Sequence, residues 1–466
     1  MSSTSNAIRR IPTPTTKEMT NFMWIGLAAT YIVLLAAAMT RLSYDVWGGL
    51  VLMPVLGGIS LPVMRRSIRK DGQSMLNIIT VAFVAKMIGT IVRYYVTFEV
   101  YGTGDATGYH GAGSRLAAGF WDGSFSDVYQ QEIPKLIGTD FMRLTTGLLY
   151  IVTGPTKLGG FVAYSVLSFW GLFFFYKALR TAFPDADYRR YAILLFFLPS
   201  LLYWPSSIGK EAWMCLTIGL TTYGVALILQ HNPIGYPFAG FGLFGTAMVR
   251  PHITALCMAS LLFAYVLRRR SWRDSASGPF GKWIGIGVML LVGGFVLGQV
   301  ATFFKLDDID SSSVDTVLTS TEEQSGQGGS EFETIKVGSP AGYPMAAVTV
   351  LFRPFPWEAG NANAASAAVE GFVLAVVCLS SWRRLLRVPG FVFRVPYLSY
   401  CLAYAAMFIF AFSSIGNFGI LSRQRTQVFP LVLVLLVVPA PRIDDGDDLI
   451  DDGRRISLSQ VPRRGR

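Results

Sequence analysis

The chain is 466 residues long, 52% hydrophobic and only 15% charged, with a formal net charge of +11. A soluble protein carries about a quarter charged residues, so this composition excludes an ordinary soluble enzyme. Apolar runs of bilayer length recur along the chain, whereas a β-barrel would show short alternating segments.

The positive excess fits loops facing an anionic leaflet and gives no reason to expect nucleic acid as a partner. Cys215, Cys257, Cys378 and Cys401 all fall inside apolar runs without CxxC spacing, so neither a metal site nor a disulfide framework is indicated.

A polar segment, 1–20, carries Arg9, Arg10 and Lys17 and reads as a cytoplasmic tail. Spans are predicted at 21–38 and 46–64, and the cluster Arg65, Arg66, Arg69 and Lys70 then sets that end inside. The third span, 75–97, returns outward and opens a long outer loop, 101–159. Its first stretch, Gly104-Asp105-Ala106-Thr107-Gly108-Tyr109-His110, reads as a flexible polar loop. The apolar piece at 141–153 is too short to cross comfortably and reads as an interfacial or re-entrant helix.

The fourth span, 161–176, ends in Lys177, Arg180, Arg189 and Arg190, which belong inside. Spans at 191–204, 212–229, 238–249 and 253–267 follow, the last descending to the basic run Arg268–Arg273. A ninth span, 283–303, leads to a mobile outer loop, 304–342, rich in Asp, Ser, Glu and Gly. Spans at 367–380, 395–413 and 428–438 complete a transmembrane domain over 21–440, before a charged cytoplasmic tail, 441–466. The expected fold is an all-α polytopic bundle of about twelve spans, with both termini inside and interfacial helices in the first long outer loop.

This topology places one set of unusual residues on the outer face: Asp105, Tyr109, His110, Lys210, Glu211, Arg250, His252, Arg353, Glu358, Arg423 and Arg425. Basic residues are normally depleted there, so their presence asks for an anionic ligand at the membrane surface. A phosphate or diphosphate on a lipid carrier fits the guanidinium fork of Arg250, Arg353, Arg423 and Arg425. Lys210 at the start of a descending helix adds to the same field, and His252 follows Arg250 in a tight turn.

Asp105 is the candidate base, on the argument that partial desolvation at the boundary raises its basicity. As a plain structural residue it would be an Asx-turn or helix cap. His110 and Glu211 are further candidates for proton transfer. Tyr109, Trp357 and Glu358 could contact a sugar, or the aromatics could simply anchor the interface. His110 has no ligand partner at metal spacing, no cofactor is indicated, and a divalent cation is left open.

The stretches Gly104-Asp105…Tyr109-His110, Pro205-Ser206-Ser207…Lys210-Glu211, Arg250-Pro251-His252 and Asn417-Phe418…Arg423-Gln424-Arg425 resemble those of bacterial multi-spanning sugar transferases. The families are the GT-C superfamily and the related polysaccharide polymerases of the Wzy and EpsG kind. The resemblance implies a glycosyltransferase of the bacterial cytoplasmic membrane that takes a sugar or oligosaccharide from a polyprenyl-linked donor. Its acceptor would be an envelope glycan, a lipid or a protein. Asp105 would be the base, with Lys210, Arg250, Arg353 and Arg425 at the donor phosphate. Such enzymes usually carry the acid after the first span, whereas Asp105 follows the third.

Two rival readings stand beside this one. A transporter or flippase of lipid-linked glycans predicts ionisable residues deep in the membrane, and the unusual charges read here as lying at outer span ends. A non-catalytic subunit of an envelope-assembly complex predicts that Asp105 is dispensable.

Overall fold

The computed structural model describes residues 16–102, 104–268 and 340–439, together with 286, 287, 290, 293, 294, 298, 332, 450, 451, 454 and 455. Most of the predicted span at 283–303, of the loop 304–342 and of the tail 441–466 lies outside the described residues. The described chain is helical apart from a two-residue antiparallel pairing of Ile450–Asp451 with Arg454–Arg455.

Helices α1 (Thr16–Arg41), α2 (Tyr44–Ser67) and α3 (Gln73–Tyr95, extended by a π-turn, Val96–Val100) open the chain. Next come α4 (Asp105–Trp121), α5 (Phe125–Glu132) and α6 (Thr139–Thr153). The sequence 104–110, expected as a loop, is instead the entry into α4 and its first turns. Gly113 of α4 and Gly147 of α6, poor helix formers in isolation, serve packing: a Cβ on Gly113 would run into Thr146 of α6, and one on Gly147 into Leu116 of α4. The piece expected to be an interfacial helix is α6, which buries Met142, Thr146, Gly147 and Tyr150 along one stripe.

Helices α7 (Lys157–Ala182) and α10 (Lys210–Leu229) form the core. They run in parallel: Ile208, just ahead of α10, packs on Gly160, and Cys215 Sγ donates to Ser168 O at 3.4 Å. Close approach requires Gly171 and Gly219, where any Cβ would strike the facing backbone. Helix α11 (Gly235–Val249) returns antiparallel to α10, with Trp213 Nε1 donating to Gly245 O at 2.8 Å. Helix α12 (Pro251–Leu267) then descends. After the gap come α13 (Tyr343–Phe352), α14 (Ala362–Ser380), α15 (Pro396–Phe412), α16 (Phe418–Gln424) and α17 (Phe429–Leu435).

Among the described residues, five helices are long and apolar enough to cross a membrane: α2, α3 with its π-turn, α7, α10 and α14. Ala28–Arg41, α12, α13 and α15 are shorter apolar helices. The segment expected as the last span, 428–438, contains only the seven-residue α17, preceded by a 3-10 turn, Arg425–Gln427. It is too short to cross by itself.

The segment expected as one span at 191–204 is broken. Helix α8 (Tyr188–Phe197) stops because Pro199 forces Leu198 to extended backbone, and the five-residue α9 (Pro199–Tyr203) restarts it. Residues 205–209 then run non-helically yet buried. Buried irregular backbone must find partners inside the protein. Lys86 Nζ of α3 donates to Leu201 O at 2.8 Å and to Pro205 O at 3.2 Å, and Ser168 Oγ donates to Pro205 O at 2.6 Å. At the other end of α9, the Ser200 N–H donates to Glu370 Oε2 of α14. The half-helix thus has an acid at its N-terminus and an ammonium at its C-terminus, matching its dipole at both ends.

Charges gather at the two ends of α7. Lys157 pairs with Asp45 at 3.2 Å at its start, the end where α10 also begins. Near its finish, Arg180 pairs with Asp71 at 2.8 Å, and the following turn carries Asp187, which meets Arg384 at 3.1 Å.

Candidate functional site

The site forms where α4, α6 and α10 begin and where α11 and α16 end. Glu211, in the first turn of α10, is its centre. Its Oε1 lies 3.2 Å from Arg250 Nη2, at the α11–α12 turn, and 3.3 Å from Arg423 Nε of α16. Arg250 Nη1 also donates to Gln424 Oε1, which accepts from Gln427 Nε2 at 2.7 Å. Both Glu211 and Arg250 side chains are only 10% exposed. A carboxylate held by two guanidiniums in that setting is a structural anchor. The same carboxylate holds the Arg423 guanidinium above its ordinary value.

Asp105 stands at the first position of α4, where an acid complements the helix N-terminus. Its Oδ2 lies 3.6 Å from Arg423 Nη1. The side chain is 71% exposed, so the desolvation argued from its sequence position is not there. Asp105, Gly108, Tyr109, Thr139, Arg143 and Lys210 line a cavity of about 260 Å³. Lys210 Nζ donates to Thr139 Oγ1 at 3.2 Å; among the described residues it meets no carboxylate at ion-pair distance. Tyr109 is 4% exposed, and burial, with Asp105 and Glu211 adding, pushes its phenol up to about 12. It is therefore a neutral hydroxyl at ordinary pH.

The cavity is held in place by backbone as well as side chains. Gly138, in the left-handed region at φ 71°, turns the chain into α6, and its N–H donates to Met248 O at 2.7 Å. Arg143 is fixed by Asp140 at 3.1 Å and by the Glu132 carbonyl at 3.3 Å.

Beside this cavity lies a larger apolar groove of about 540 Å³, lined by Phe141, Trp213, Leu216, Phe238, Phe241 and Phe244 among others. Phe141 and Trp213 meet edge to face at 5.4 Å. Phe141 is two residues beyond Thr139 and Trp213 is three beyond Lys210, so groove and cavity share the first turns of α6 and α10. Phe241 and Phe244 are 73% and 61% exposed on the outer side of α11.

The other expected site residues lie elsewhere. His110 turns away from Asp105 on α4: its Nδ1 is 2.8 Å from Tyr150 Oη, and burial holds the imidazole below its ordinary value. His252 sits within α12, its ring 6.3 Å from that of Phe412. Arg353 is bound bidentately by Glu358, and its guanidinium lies 4.4 Å from the Phe332 ring, so neither partner is available as expected for phosphate or sugar. Trp357 is 80% exposed and stacks on Phe355 at 5.0 Å. Arg425 is fully buried, donating to Arg353 O at 2.7 Å and lying 3.9 Å from Glu370, out of reach of a surface ligand.

Sequence reasoning passed over Thr139 and Arg143, which lie in or beside a piece read as merely apolar. It also passed over Lys86, Arg93 and Glu370, charges inside long apolar runs, which are a recognised functional signal. Their presence corrects the expectation that unusual charges sit only at span ends. Arg93 donates to Tyr203 Oη at 3.0 Å and lies 4.8 Å from the rings of Tyr203 and Trp204. Among the described residues, no three His, Cys, Asp or Glu side chains come together as a metal site.

Compared with protein-family models, curated proteins and solved structures, the chain matches none.

Proposed function

We propose that this chain is a polytopic membrane glycosyltransferase that takes its sugar from a polyprenyl-phosphate donor. One observation carries the reading: an apolar groove of about 540 Å³ shares the first turns of two helices with a cavity holding Lys210, Arg143 and Asp105. A groove of aromatic side chains suits an isoprenoid chain, and cations at its head suit the phosphate.

In the transfer, Asp105 accepts the proton of the acceptor hydroxyl as that oxygen bonds to the anomeric carbon. The bond from that carbon to the phosphate oxygen breaks, and the electron pair leaves with the phosphate, stabilised by Lys210 and Arg143. Exposure of Asp105 leaves room for an acceptor. The cavity lies at the end of α7 opposite Arg180, Arg384 and the other basic loops, which under the positive-inside rule supports an outer-face site. A bundle of about twelve spans with cytoplasmic termini remains part of this reading.

A second reading, a transporter of lipid-linked glycans, is favoured by Lys86 and Glu370 inside long apolar helices. Both are engaged by the backbone of α9, which supports a structural role for them. The test is sugar transfer in detergent, where no sealed compartment exists. Purified chain is mixed with a radiolabelled polyprenyl-phosphate sugar and a bacterial glycan acceptor. Label should leave the lipid phase with wild type and stay there with Asp105→Asn or Lys210→Gln. No release by wild type, together with donor movement across sealed vesicles, would establish the transporter instead.

A further inference from the structure

A second cavity, about 290 Å³, lies beside the first and differs from it in chemistry. Tyr101, Asn361, Asn363, Phe418, Gly419 and Ser422 line it, and no charged side chain does so among the described residues. Carboxamides both donate and accept, as a sugar hydroxyl does, and an exposed phenol offers a flat face to a sugar ring. Tyr101 is 55% exposed, and Asn363 Nδ2 donates to its hydroxyl at 2.6 Å, which fixes both groups at the rim. An anion would find no counter-charge in this lining, whereas the neighbouring cavity contains Lys210 and Arg143.

One ion pair joins the elements that line the two cavities. Tyr101 is four residues before Asp105, and Ser422 adjoins Arg423, whose guanidinium lies 3.6 Å from Asp105. From this we infer that the Tyr101–Ser422 cavity binds a neutral, hydroxyl-rich saccharide, with Asp105 standing between it and the anionic ligand at Lys210. Its role as the acceptor subsite rests on the transferase reading; its preference for neutral saccharides does not.

The test uses the full chain in a zwitterionic detergent without a sugar headgroup. Saturation-transfer NMR is recorded with maltose, lactose, cellobiose and trehalose, and with glucuronic acid as the charged control. Gly419 is exposed, and among the described residues a Cβ there meets only Asn417 Oδ1 at 3.2 Å, so Gly419→Leu extends into the cavity and away from the core. Gly419→Leu and Asn363→Ala should each weaken contact with the neutral sugars about tenfold. Lys210→Gln should leave that contact unchanged. Farnesyl phosphate binding should show the reverse pattern. No neutral-sugar signal with wild type, an unchanged signal in Gly419→Leu, or preference for glucuronic acid overturns the inference. Failure of farnesyl phosphate to bind counts against the transferase reading alone.

Discussion

Arg423 meets Glu211 at 3.3 Å, from a short helix near the end of the described chain to the first turn of α10. The same guanidinium reaches Asp105 at 3.6 Å, so one side chain ties a buried anchor to an exposed acid. Arg250 completes the anchor from the other side at 3.2 Å.

Removing the shared carboxylate should therefore cost more than removing either cation. Glu211→Gln leaves buried Arg250 without its carboxylate partner and Arg423 with the longer 3.6 Å contact to exposed Asp105, and breaking a buried pair in this way costs about 3–5 kcal/mol. Thermal unfolding in detergent should show a large drop in Tm, partly restored in the double variant Glu211→Gln/Arg423→Gln. An additive loss in the double variant would remove Glu211 from the centre of the cluster.

Lys210 should behave differently, because among the described residues its ammonium bonds only the Thr139 hydroxyl. Lys210→Gln is expected to leave the unfolding free energy within about 0.5 kcal/mol of wild type, as for a change away from buried networks. Farnesyl phosphate binding should fall about tenfold, and its salt dependence should weaken with it. Equal affinity in the two proteins would take Lys210 out of the anion site.

Asp105 offers a split readout. Its carboxylate competes for Arg423 with any incoming phosphate, so Asp105→Asn should tighten farnesyl phosphate binding a few-fold. The same change removes the base, and turnover should fall by about 10²–10⁴-fold. Full turnover in Asp105→Asn would end its assignment as base.

His110 predicts a pH effect on stability without any role in transfer. Burial holds the folded imidazole below its ordinary value near 6.5, so the unfolded chain takes up the proton first as pH falls. Stability is then undiminished above about pH 6.5 and is lost progressively below it. The Tm should drop between pH 7 and pH 5.5 in wild type and drop less in His110→Gln. Identical pH profiles would mean that the Tyr150 contact carries no such linkage.

Most of the helical framework was legible in the sequence because it is written in apolar runs, and α2, α3, α7, α10 and α14 fall close to where those runs placed them. Helix α4 was not, because Gly104, Gly108, Gly111 and Gly113 look like loop residues, and the packing of Gly113 on Thr146 of α6 joins positions far apart in the chain. The site was legible in part. Asp105, Tyr109, Lys210, Glu211, Arg250 and Arg423 do come together, since charges and polar groups at the ends of packed helices share a surface. What each charge does depends on pairings far apart in the chain. Glu211 reads as a free acid until Arg250 and Arg423 are beside it, and Arg425 reads as exposed until α13 and α14 close over it. Lys86 and Glu370 make sense only once the break at Pro199 is seen between them.

That clamp also sets an order of assembly. The half-helix α9 is synthesised long after Lys86 but long before Glu370, so its carbonyl end can be satisfied as it enters the membrane while its N–H end waits for α14. A chain halted short of residue 370 would contain Lys86 and Pro199 together and still lack the acid that the Ser200 N–H requires. Folding of the break ahead of Lys210 is thereby tied to the arrival of a helix from a distant part of the chain.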